Sequence, residues 1–112
     1  MNAAREPVGR VTIAPQVLIT IVRQTTLENE SVERLAERAP RRSQRSGRRA
    51  TAPGVEVIVD ENGVRATVHI IARPGVNMLR LGETLQTEIA RAIEHMTGLQ
   101  VADVNVFIDD VA

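Results

Sequence analysis

The sequence predicts an α+β fold: a two-layer domain of element order β-α-β-β-α-β, with two helices packed on one four-stranded mixed sheet. Three stretches carry that prediction. Val55, Val57 and Val59 alternate with Glu56, Ile58 and Asp60, and Val64, Ala66, Val68 and Ile70 resume the period of two beyond Asn62-Gly63, a dipeptide suited to a tight hairpin. Met78, Leu81, Leu85, Ile89, Ala92 and Met96 then fall three and four residues apart, the spacing that gathers side chains on one face of a helix. Ala102, Val104, Val106 and Ile108 finally alternate with Asp103, Asn105, Phe107 and Asp109, as in a last strand with one apolar face.

Taken in order, residues 1–9 read as a flexible N-terminal arm and residues 10–112 as a single domain. Residues 10–14, RVTIA, fit a short first strand. Pro15 suits the first turn of a helix, where its missing N–H would have had no partner. Val17, Leu18, Ile21, Val22 and Thr25 follow at helical spacing, and Ile19 widens the apolar face. A weaker helical turn is expected over residues 31–38, where Ser31 can cap and Val32, Leu35 and Ala36 make a small stripe. Residues 39–54 break the pattern: Pro40 and Pro53 bracket Ser, Gly and Arg with no large apolar side chain between them, so a mobile Arg-rich loop is expected. Arg73-Pro74-Gly75 turns the chain, Asn77 can cap the second helix, and Gly98 stands where a left-handed stop belongs, with Leu99 behind it.

A chain of 112 residues is the size of one ordinary domain. It has no cysteine, which excludes disulfides, thiolate nucleophiles and cysteine-type zinc sites. Phe107 is its only aromatic residue, so the core must be aliphatic, and every basic side chain is an arginine. Formal net charge is zero, which argues against a surface wholly devoted to binding a polyanion. Its distribution is uneven. Residues 34–49 hold seven arginines against the single acid Glu37, a net +6, and the remaining seven arginines and thirteen acids leave −6. The first ten residues lack an apolar run of secretory type, and no stretch approaches the roughly 20 apolar residues needed to cross a bilayer. The expectation is an intracellular chain that does not span a membrane by itself.

Residue chemistry points away from catalysis. His69 lies on a strand and His95 at a helix end, neither with a second ligand at metal spacing. Asp60-Glu61 and Asp109-Asp110 fall at turns and strand ends, where solvated carboxylates are ordinary. Ser43, Ser46 and Thr51 have no base set beside them by any motif, and there is no phosphate-binding glycine loop or nucleophile elbow. Gly75-Val76-Asn77, ahead of a helix, reads as a plain connection before it reads as an anion site. No catalytic residue, cofactor site or metal site is therefore expected. The strongest binding candidates are Arg41, Arg42, Arg45, Arg48 and Arg49, whose guanidinium groups can meet acidic protein surface, anionic headgroups or phosphates. Without strand aromatics for base stacking or a GxxG clamp, nucleic acid ranks below protein or lipid.

Three segments resemble the alkaline-shock-protein family of bacterial envelope-stress proteins: VTIAPQVLITIV at 11–22, GVEVIVDENGVRATVHIIARPGVNM at 54–78, and EIARAIEHMTGLQVADVNVFIDDV at 88–111. The last is the most specific, with Met96-Thr97-Gly98-Leu99 running into the valine-rich strand from Val101 to Val106. The departure is the Arg-rich stretch within residues 30–53. The resemblance implies a non-enzymatic cytoplasmic protein of the envelope and alkaline stress response. It further implies peripheral recruitment to the cytoplasmic face of the membrane by a membrane-anchored protein partner, and self-association. Weak binding to anionic lipid is expected of the arginines. The alternative reading is a small nucleic-acid-binding protein working through residues 41–49.

Overall fold

A computed structural model describes residues 8–37 and 46–112. Their elements are α1 (Pro15–Glu28), β1 (Val32–Leu35), β2 (Arg48–Ala52), β3 (Val55–Asp60), β4 (Gly63–Ala72), α2 (Met78–Thr97) and β5 (Val101–Val111). The fold class is α+β as expected, but the sheet has five strands where four were expected.

β4 is the spine of the sheet. One of its edges pairs in parallel with β5 from Val64 to Ala72. The other edge is shared end to end by two antiparallel strands, β3 opposite residues 63–68 and β1 opposite residues 70–72. His69 bridges the junction: its N–H donates to the Gly54 carbonyl at 2.8 Å, and its carbonyl accepts from the Ala36 N–H at 2.9 Å. Gly54 has φ 78°, and a Cβ there would lie 2.6 Å from the Ala36 carbonyl oxygen, so only glycine lets β1 and β3 meet over β4. β2 completes the sheet on the outer side of β3, and the mixed character comes from the single parallel pair.

Both helices cover one face. α1 packs on β1, β2 and β3, α2 on β5, and the helices on each other. Between the layers lie Leu18, Ile19 and Val22 of α1, Leu81, Leu85, Ile89 and Ile93 of α2, and Val55, Val57, Val64, Ala66, Val68 and Ile70 of the sheet. The helix ends follow their sequence signals. Pro15 opens α1, the Asn77 side chain accepts the Arg80 N–H at 2.9 Å, and Gly98 closes α2 in the left-handed conformation at φ 76°. The helical faces differ in detail from the spacing argument: Thr26 rather than Thr25 is buried, Ile93 joins the core, and Val17, Met78 and Met96 are exposed.

Four local expectations are corrected. Residues 10–14 form no strand, although they have strand-like composition; a strand is stable only when its backbone is paired, and this segment has no paired neighbour among the described residues. The helical turn expected at 31–38 is β1 instead. The register jumps between Val32 and Arg34, a bulge that returns Val32 and Leu35 to the same buried side three residues apart, which mimics a helical period. The loop expected over 39–54 ends in β2, because Ala50 and Ala52 are small enough to sit half-buried against the core while the backbone pairs with β3; residues 39–45 lie outside the described residues, as do residues 1–7 of the expected arm. Lastly, the hairpin turns on Glu61 and Asn62, with Asp60 opposite Gly63. The Asp60 carboxylate accepts the Asn62 N–H at 2.7 Å, and the positive φ of 115° falls on Gly63 alone, where a Cβ would strike the Gln100 carbonyl.

Candidate interaction surface

Opposite the helices the sheet presents a second face, and its side chains are tied to one another across strands. Arg49 of β2 pairs with Glu56 of β3 at 2.6 Å. Arg65 of β4 donates to Asp60 at 3.3 Å and also to Asp103 of β5, so one guanidinium links two neighbouring elements to the spine. The hydrogen bond that Arg65 donates to Asp60, with a smaller contribution from the charge of Asp103, holds the Arg65 pKa above its ordinary value. Arg73 meets Glu33 at 2.9 Å. Ion pairs at such exposure contribute about 0–1 kcal/mol each, so they make the face polar and fix register more than they stabilise it.

His69 and Phe107 sit directly opposite each other on β4 and β5, their rings stacked with centroids 4.7 Å apart and planes 11° from parallel. The His69 Nδ1 lies 3.1 Å from the Asp109 carboxylate. An acid orienting an imidazole is one part of a catalytic set, but among the described residues no hydroxyl bonds to that imidazole, and one ring face is covered by Phe107. The arrangement is a surface cluster. Among the described residues there is also no group of three or more His, Asp and Glu placed to hold a metal ion.

The predicted arginine candidates divide. Arg41, Arg42 and Arg45 lie outside the described residues. Arg48 and Arg49 open β2, where the Arg48 guanidinium donates to the Ile13 carbonyl at 3.4 Å and Arg49 is engaged by Glu56. Two of the five are thus turned to groups of their own chain.

Sequence reasoning missed the far edge. β5 spans eleven residues, pairs only with β4, and leaves its outer backbone edge unpaired by any described strand. Beside that edge a mainly apolar groove runs between β5 and the first half of α2, lined by Met78, Leu79, Gly82, Glu83, Gln86, Val106 and Ile108. Leu79 is 74% exposed and Met78 42%. Part of the signal was available: Leu79 lies two residues before Leu81, on the side of α2 turned away from the buried stripe of Leu81, Leu85, Ile89 and Ile93.

Among the described residues no helix is long and apolar enough to cross a membrane. No curated protein and no solved structure matches the chain. Residues 3–112 match the model of the alkaline shock protein 23 family, described as having a cell envelope-related function. The match spans nearly the whole sequence, including the helices, the spine strand and β5 that form this surface, and the chain belongs to that envelope-related alkaline shock protein family.

Proposed function

We propose that the chain is a non-enzymatic scaffold of the envelope stress response, held at the cytoplasmic face of the membrane by a membrane-anchored protein partner and self-associating there. The observation that carries the reading is the unpaired β5 edge with its apolar groove, in a chain of an envelope-related family. An open strand edge supplies a row of backbone donors and acceptors, and a flanking groove supplies apolar contact; together they suit a protein strand rather than a small substrate. The polar face agrees with this role, since Glu56, Asp60 and Asp103 are held by arginines and Asp109 lies against His69, spread over the sheet and not converging on a cavity among the described residues. The Arg-rich segment adds electrostatic attraction to anionic headgroups, about 1 kcal/mol per well-placed arginine, which biases the scaffold toward the bilayer without anchoring it.

The test is co-purification from native membranes solubilised in mild detergent, followed by identification of what the chain retains. The expected result is a protein with a membrane-spanning segment, retained through washes at high salt. Recovery of the chain from the membrane fraction with lipid alone, or a turnover abolished by His69→Ala, would contradict the scaffold reading.

A further inference from the structure

Residues 8–13, VGRVTI, contain the strand-like run RVTI and pair with no strand among the described residues. Val8 is fully exposed and Val11 is 92% exposed, an unusual state for two valines just ahead of a helix that buries its apolar residues. On the opposite edge of the sheet stands β5, paired on its outer side by no described strand and flanked by exposed Met78 and Leu79. Building on the self-association proposed above, we infer that residues 8–13 of one copy add as a further strand to the β5 edge of a second copy.

Alternation makes the fit specific. In an added strand Val11 and Gly9 face one way and Arg10 and Thr12 the other. On β5, Val106 and Ile108 turn to the helix layer, whereas Asp103, Asn105, Phe107 and Asp109 turn to the polar face. With Val11 over the groove beside Leu79, Arg10 comes to the polar side of a strand that carries Asp103, Asp109 and Asp110 and no basic residue, where it joins Asp103, already held by Arg65, and Asp109, already against His69. The charges are complementary whichever way the added strand runs.

Geometry and charge select a second copy. The segment leaves α1 beside β2, where the Ile13 carbonyl accepts from Arg48. From β2 to β5 the sheet is three strand spacings wide, about 14 Å, and six extended residues reach only about 20 Å, so crossing to the chain's own β5 would leave almost nothing to pair. The nearer edge, β2, begins with Arg48 and Arg49, which repel Arg10, and it contains no acid to receive it.

The experiment compares the mass in solution of the wild-type chain with those of Val11→Asp and Leu79→Asp, each alone and the two variants mixed in equal amounts, by sedimentation equilibrium. Both positions are solvent-exposed, so each monomer should fold with an unchanged thermal midpoint. The wild type is expected to show at least about twofold the monomer mass, and each variant the monomer mass. The mixture should form dimers and nothing larger, because the intact segment of Leu79→Asp fills the intact edge of Val11→Asp and leaves only a disabled segment and a disabled edge. A wild type that associates while both variants associate equally well overturns the strand addition and leaves self-association through another surface. A monomeric wild type overturns both, and a mixture that stays monomeric overturns the pairing of this segment with this edge.

Discussion

The two faces of the sheet are built from the same strands, yet they are held by different physics. On the helix side Val55, Val57, Val64, Ala66, Val68 and Ile70 are almost wholly removed from water and meet Leu85, Ile89 and Ile93. On the other side, one residue along each strand, Glu56, Arg65, Thr67 and His69 are half-exposed, and Glu56, Arg65 and His69 are joined to neighbouring strands by side-chain pairs. Stability resides in the first layer, where burial of an aliphatic side chain contributes about 1.5–3 kcal/mol. The second is left chemically adjustable. The comparison teaches where substitutions will unfold this protein and where they will leave the fold standing.

The sharpest way to break the comparison is at the centre of the covered layer. Leu85→Ala removes a fully buried side chain between α2 and the sheet and should cost about 2–5 kcal/mol in chemical denaturation, through lost burial and the cavity left behind. A cost near zero would mean that α2 does not pack as described. A smaller effect of opposite sign is expected at Thr26, which is fully buried in α1 with its hydroxyl oxygen lacking a hydrogen-bond partner among the described residues. Thr26→Val keeps the shape and removes the unsatisfied group, so the midpoint should rise, by about 1 kcal/mol of stability. Smallest is the open face. Arg49→Ala breaks the pair with Glu56 and should change stability by less than about 1 kcal/mol; a loss as large as that of Leu85→Ala would erase the distinction between the faces.

Much of the covered layer was legible in the sequence, because burial imposes a period. The alternation of β3 and β4, the stripe of α2, its Asn77 and Gly98 ends and the alternation of β5 all follow from that rule. The misreadings have separate causes. β1 looked helical because a bulge converts a period of two into a spacing of three, and β2 looked like a loop because alanine and arginine carry little apolar signal while their backbone pairs with β3. Residues 10–14 looked like a strand because pattern reports what a segment could pair with and not whether a partner is at hand. The candidate surface was the least legible part. Arginine density drew attention to residues 41–49, whereas an open strand edge is a property of topology and appears only once β5 is known to be outermost.

The central claim, that the chain reaches the membrane through protein and not through lipid, is tested most directly by flotation of the purified full chain with phosphatidylglycerol vesicles at low and at high salt. The account predicts weak binding at low salt that disappears at high salt, since only screened arginine–headgroup attraction is available. Tight binding that persists at high salt would contradict it and assign the docking to an apolar surface of the chain itself.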